Sequence, residues 1–143
     1  MKEKKPKFPH VFRIEPSAKC NFMCSHCPTG TIEMKRSLMN ELTFNNIIKN
    51  LLSVKDLVKI IVMYHGGEPF LNKKFFDYLQ EIKKIKKSFF FKKISNGSVL
   101  TNKLIDQILN SDLGSIEFSL DGISSAESEH VRINSNACKI IKN

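Results

Sequence analysis

The strongest constraint on this chain is a phrase repeated four times: a strand-like run, a short polar or glycine-bearing segment, and a helix-like run. In 11–15, Phe12 and Ile14 alternate with Arg13 and Glu15, the period of a strand, and Pro16 ends the run. Thr43 reads as an N-cap, and Phe44, Ile47, Ile48, Leu51 and Leu52 then recur at helical spacing. The run 58–64 is apolar and β-branched almost throughout, which suits a parallel strand covered on both faces. It stops at Gly66-Gly67-Glu68-Pro69, and a helix starting near Asn72 carries Phe75, Leu79 and Ile82 on one stripe. A third strand over 89–94 closes in Ser95-Asn96-Gly97. Thr101 caps the next helix, whose apolar face is Leu104, Ile105, Ile108 and Leu109, with Gly114 as its C-terminal stop. In 115–120, Ile116, Phe118 and Leu120 stand opposite Glu117 and Ser119. Asp121-Gly122 ends that strand, and a fourth helix begins at Ser124.

Strands alternating with helices predict an α/β fold with βαβ crossovers and a parallel sheet. Such a sheet gathers the C-terminal ends of its strands along one edge, where ligands bind. Every distinctive motif of the chain falls there. The cysteine segment follows the first strand, Gly-Gly-Glu-Pro the second, Ser-Asn-Gly the third and Ser-Leu-Asp-Gly the fourth.

The length, 143 residues, suits one domain: a basic tail over 1–10 and a folded unit over 11–143. Hydrophobic residues at 41% against 26% charged exclude a disordered chain, and no apolar run is long enough to span a bilayer. The basic start is not followed by a signal-peptide apolar region, so the expected location is cytoplasmic. The net charge of +9 raises nucleic acid or anionic lipid as partners. The cations are nearly all lysine, however, with only Arg13, Arg36 and Arg132 offering the planar fork suited to phosphate. Lys83, Lys84, Lys86 and Lys87 read as a solvated helix face, and nucleic acid is not the expected partner.

Four cysteines in a reducing compartment argue against disulfides. Cys138 stands alone and reads as a structural or exposed thiol. Cys20, Cys24 and Cys27 fall within eight residues, with the spacing Cys-x3-Cys-x2-Cys. Three readings compete. The spacing suits one face of a helix, although Pro16, Pro28 and the turn-forming Asn21 and Ser25 leave little room for one. Zinc wants four ligands, and His26 is an awkward fourth beside Cys27. An iron-sulfur cluster is held by thiolates, and three ligands on a cubane leave one iron free.

The segment Cys20-Asn21-Phe22-Met23-Cys24-Ser25-His26-Cys27 resembles the cluster motif of the radical SAM superfamily. Gly66-Gly67-Glu68-Pro69 is similar to that family's second signature. Ser119-Leu120-Asp121-Gly122 resembles the end of the fourth strand in the branch that modifies peptides, proteins and sugars, the SPASM-like branch. The resemblance covers nearly the whole chain in the family's order. It implies a partial parallel βα barrel of about six units, of which this chain supplies four as the N-terminal part of the core domain. It also implies a 4Fe-4S cluster on Cys20, Cys24 and Cys27 and reductive cleavage of S-adenosylmethionine to a 5′-deoxyadenosyl radical. The partners implied are a reductant such as a flavodoxin or ferredoxin and a peptide, protein or sugar-type substrate, with a second chain as one way of completing the barrel. A non-catalytic iron-sulfur carrier, a redox sensor and an inactive truncated remnant are the alternatives.

The resemblance assigns His26 to the adenine side, Gly66 and Gly67 to backbone placed against the cofactor, and Glu68 to its ammonium group. Ser119 faces the barrel interior and suits the methionine carboxylate or ribose. Each has a plainer reading: a turn for the glycines, an acid near a helix N-terminus for Glu68, a strand-end polar residue for Ser119. Arg132 suits the same carboxylate but reads as solvent-facing, and Ser95 and Asn96 read as a turn.

Overall fold

Alternating side chains build the sheet, and helices with one apolar stripe fill the crossovers between its strands. The computed structural model describes residues 10–122 and 124–142. In chain order these form β1 (Val11–Arg13), β2 (Met23–Cys24), α1 (Pro28–Thr31), α2 (Glu41–Val54) and β3 (Ile60–Val62). A 3-10 turn (Pro69–Leu71), α3 (Phe75–Ile85), β4 (Phe90–Ser95) and α4 (Asn102–Leu109) follow. The last elements are β5 (Ser115–Phe118), α5 (Ser125–Val131), β6 (Arg132–Ile133) and α6 (Ala137–Lys142). The main sheet has the order β1-β3-β4-β5 with every pair parallel. This is the expected α/β arrangement, with four parallel strands in the main sheet.

The two sheet faces differ in chemistry. On one, Ile14, Ile61, Met63 and Phe91 pack against Phe44 and Leu51 of α2 and Phe75, Tyr78, Leu79 and Ile82 of α3. Leu51, Ile61, Leu79 and Ile82 are fully buried, each contributing about 1.5–3 kcal/mol relative to an exposed side chain. The register aligns Arg13, Val62, Lys92 and Ser115 in one row across the opposite face. Arg13 lies over the Tyr64 ring at 5.3 Å, and Lys92 pairs with Glu117. Apart from the buried Val62, the residues of that row are polar and at most half-buried.

Several local expectations are corrected. The α2 cap is Asn40, whose side-chain oxygen accepts from Thr43 N at 2.8 Å; Thr43 is the capped residue. Thr101 does cap α4, accepting from Leu104 N at 3.2 Å. Gly114 is not the stop of that helix, which ends at Leu109. It stands where β5 starts, under the exposed Phe90 ring, which would have to shift to admit a Cβ lying 2.5 Å away. Ser124 forms a capping box with Glu127, but the following helix breaks after Val131 into β6 and α6. Lys83 and Lys86 are not simply solvated. Lys83 Nζ donates to Ser111 O at 2.9 Å, and Lys86 Nζ to the carbonyls of Lys55 and Val58 at 3.1 and 3.2 Å.

His10 of the expected tail belongs to the sheet margin, its carbonyl accepting from Lys59 N and Ile60 N; the rest of that tail lies outside the described residues. Among the described residues no helix is long and apolar enough to cross a membrane.

Candidate functional site

The three cysteines sit in three different local structures. Cys20 belongs to a loop, Cys24 ends β2, and Cys27 is the residue before α1, its carbonyl accepting from Gly30 N and Thr31 N. A single helical stripe is thereby excluded. β2 pairs antiparallel with β6, setting Cys24 opposite Arg132. Phe22, Cys24 and Ile140 form a small buried cluster, with Cys20 and Cys27 packed against it.

Hydrogen bonds tie the four strand-end segments together. Thr29 Oγ1 donates to Gly66 O at 2.6 Å, and Gly66 N donates to Glu15 Oε1 at 2.7 Å. Glu68 N donates to Lys19 O at 2.8 Å. A Cβ on Gly67 would stand 2.2 Å from Ser17 O and 2.5 Å from Lys19 O, so only glycine allows the cysteine loop to pass this closely. From the third segment, Asn96 Nδ2 donates to Asn21 Oδ1 at 3.0 Å and lies 3.7 Å from the Cys20 sulfur. The fourth joins through Ser119 N, which donates to Ser95 O at 2.9 Å. Asp121 pairs with Arg132 at 2.5 Å and lies 3.9 Å from His26 Nε2.

Glu68 is the hub of this edge. It is 1% exposed. Its Oε1 accepts from Ser95 Oγ at 3.0 Å and Phe70 N at 3.2 Å, and its Oε2 from Asn96 N at 2.8 Å. Ser95 and Asn96 are therefore more than a turn: they supply hydrogen-bond donors to a buried carboxyl group, which is costly to bury without them.

Burial pushes the Cys20 thiol above its ordinary pKa, while hydrogen bonds from Phe22 N and Asn96 pull it down. Burial likewise raises Cys24, and the Arg132 guanidinium opposes that rise. The negative charge that Cys20 and Cys27 carry as thiolates also raises Cys24, as expected of three sulfurs close to one another. Three soft sulfur donors in one short segment fit an iron-sulfur cluster, which is held by cysteine thiolates. Among the described residues no three His, Cys, Asp or Glu side chains converge closely enough to hold a single metal ion.

The profile of the radical SAM superfamily matches residues 14–141. The chain belongs to that superfamily. A curated relative, the UPF0026 protein of Helicobacter pylori, is 29% identical over 123 residues, covering 82% of this chain and 40% of its own length. Among solved structures, SuiB of Streptococcus suis bound to S-adenosylmethionine superposes with a TM-score of 0.75 at 19% identity. That match covers 95% of this chain and 30% of SuiB. anSMEcpe with bound AdoMet gives 0.73 at 20% identity over 94% of this chain and 40% of that one. BtrN in complex with AdoMet and 2-DOIA gives 0.68 at 20%, covering 77% and 45%. These likenesses support the radical SAM fold, and the chain spans less than half the length of each of these proteins.

Within this radical SAM edge, Gly66, Gly67, Glu68, Ser119 and His26 all lie near the cysteine loop or are bonded to its neighbours. Ser119 is half-buried on the face opposite Phe118, whereas His26 is exposed. Arg132 is corrected. Its side chain is only 12% exposed and pairs with Asp121 rather than facing solvent, because β6 folds back onto β2. Cys138 is exposed and accepts from Ser125 Oγ at 3.2 Å.

Two contributors have no assigned role in the sequence reading, Thr29 and Lys93, although the strand alternation that buries Phe91 and Ser95 also buries Lys93.

Proposed function

We propose that Cys20, Cys24 and Cys27 hold a 4Fe-4S cluster and that the chain is part of a radical SAM enzyme. When bound, the cluster and S-adenosylmethionine supply a one-electron cleavage that yields methionine and a 5′-deoxyadenosyl radical for hydrogen abstraction. The observation that carries this reading is the bonding of the cysteine loop to the Gly66–Glu68 and Ser95–Asn96 segments at the sheet edge where ligands bind.

The residues divide the work. Three thiolates anchor the iron, while Asn96 directs an N–H toward the Cys20 sulfur, a contact that tunes cluster potential. Gly66 and Gly67 bring backbone to the cofactor's methionine end, and Glu68 places negative charge behind that backbone. Ser119 offers a hydroxyl to the carboxylate or ribose, and His26 an aromatic ring near the adenine. Arg132 stabilises the Cys24 thiolate and tethers Asp121. A flavodoxin or ferredoxin supplies the electron. The substrate is of the peptide, protein or sugar type, and the cytoplasm is the expected compartment.

The test is anaerobic reconstitution with iron and sulfide, followed by dithionite and S-adenosylmethionine and an assay for 5′-deoxyadenosine. Product in step with methionine supports the reading. A loaded cluster that binds S-adenosylmethionine yet gives no product would identify a carrier or sensor instead.

A further inference from the structure

We propose that Lys93 is a positioning residue for this edge, holding the Glu68 carboxylate, and through it Asn96, in the arrangement that S-adenosylmethionine binding requires. The proposal rests on the function just stated.

Lys93 lies on the buried face of β4 between Phe91 and Ser95, where the strand pattern calls for an apolar side chain. It is fully buried. Its ammonium sits 2.8 Å from the centroid of the Phe70 ring and 5.5 Å from that of Phe75. Among the described residues Nζ has no hydrogen-bond partner. The nearest carboxylate oxygen is Glu68 Oε1 at 3.8 Å. Burying an amine without hydrogen bonds is costly, and the opposite charge and the aromatic faces are what offset that cost here.

The contacts form a relay. Lys93 stands beside Glu68 Oε1, while Oε2 on the other side of the carboxylate accepts from Asn96 N at 2.8 Å. Asn96 in turn reaches Asn21 and the Cys20 sulfur. Glu68 also caps the 3-10 turn that carries Phe70, the ring on which the ammonium rests. Removing the cation therefore disturbs both the turn and the Asn96 loop. Glu68 is the charged group whose field acts on Lys93, and the Phe70 and Phe75 rings lie against its ammonium. Burial drives the amine down to about 7, against the pull of Glu68, so its charge changes within the working pH range.

K93M keeps the bulk against Phe70 and Phe75 and removes the charge; K93R keeps the charge. The first measurement is equilibrium dialysis of S-adenosylmethionine with the reconstituted chain between pH 6.5 and 8.5. K93M should weaken binding about tenfold at pH 6.5, the usual cost of losing an outer-shell partner. The gap should close toward pH 8.5, where the wild-type amine is neutral and wild type weakens as well, and K93R should keep the wild-type pH 6.5 affinity throughout. Binding by K93M equal to wild type at pH 6.5, or a deficit independent of pH, would overturn the proposal.

The second measurement is hydrogen exchange of the Asn96 amide in the cluster-free protein. Faster exchange in K93M at pH 6.5 supports the relay, and unchanged protection overturns it. If wild type binds no S-adenosylmethionine, the functional reading fails and this exchange experiment still decides the role of Lys93. Should K93M not fold, the comparison is wild type against K93R. Loss of Asn96 protection with rising pH, beyond the intrinsic rate increase, should occur only in wild type; the same loss in both would overturn the relay.

Discussion

Cys24 stands directly opposite Arg132 in the two-residue antiparallel pair of β2 and β6. The pairing brings a guanidinium from near the end of the chain to the middle thiol of the cysteine motif, where it opposes the effect of burial on that thiol. Arg132→Met removes this charge and the partner of Asp121. Alkylation of Cys24 by iodoacetamide at fixed pH near neutrality should slow, because less thiolate is present. Urea unfolding should show a loss of about 1–3 kcal/mol, the usual scale for a partly buried charged contact. Unchanged alkylation would mean that Arg132 does not act on Cys24.

Gly67 is fixed by the chain itself. The Gly67→Ala methyl has nowhere to go but into the backbone of Ser17 to Lys19, which is not a flexible side chain that can swing aside. Forcing that methyl in should cost about 1–3 kcal/mol, as overpacking does. The cysteine loop should move with it, so S-adenosylmethionine binding should fall as well as the urea midpoint. A variant with normal stability and binding would show that the close approach is not needed.

Much of this was legible in the sequence, for identifiable physical reasons. Period-two alternation in 11–15 and 115–120 and the apolar run in 58–64 report local burial, so the strands followed from them. Helical spacing marked the buried faces of α2 and α3, whereas the apolar residues of α4 stay at least partly exposed. The strand-end motifs carry residue types with narrow uses, and they do meet at one edge. What stayed hidden depends on long-range pairing. Arg132 lacks any local signal for burial, since only the fold-back of β6 onto β2 encloses it. Lys93 carried a signal that its charge masked: alternation with Phe91 and Ser95 marked an inward position, but lysine reads as surface. The cap at Asn40 was missed because Thr43 stood closer to the apolar stripe.

The four cysteines should separate into two classes. Cys20→Ala, Cys24→Ala and Cys27→Ala should each abolish the reconstituted cluster absorbance and the formation of 5′-deoxyadenosine. Cys138→Ala should retain both, because the residue is exposed and, among the described residues, its sulfur bonds to Ser125 of α5 and not to the cysteine loop. Iron and sulfide content per chain measures the difference. Loss of the cluster in Cys138→Ala, with its retention in any of the other three, would require another ligand set.

Lys93 predicts how stability varies with pH. Its ordinary value is 10.5 and its folded value about 7, so between these limits the unfolded chain holds a proton that the folded chain has released. Stability therefore rises with pH across that window, by at most about 1.4 kcal/mol per pH unit. Below about 7 the amine is charged in both states, and the penalty for burying that charge is present in full. Cys20 and Cys24 act in the opposite sense. Their folded thiols lie above the ordinary 9.0, so the stability they contribute is lost as pH rises through their folded values. The cleanest comparison is thus urea unfolding at pH 7.0 and 8.5. Wild type should gain stability over this interval, and Lys93→Met should gain much less. An equal gain in both proteins would assign the effect to another group.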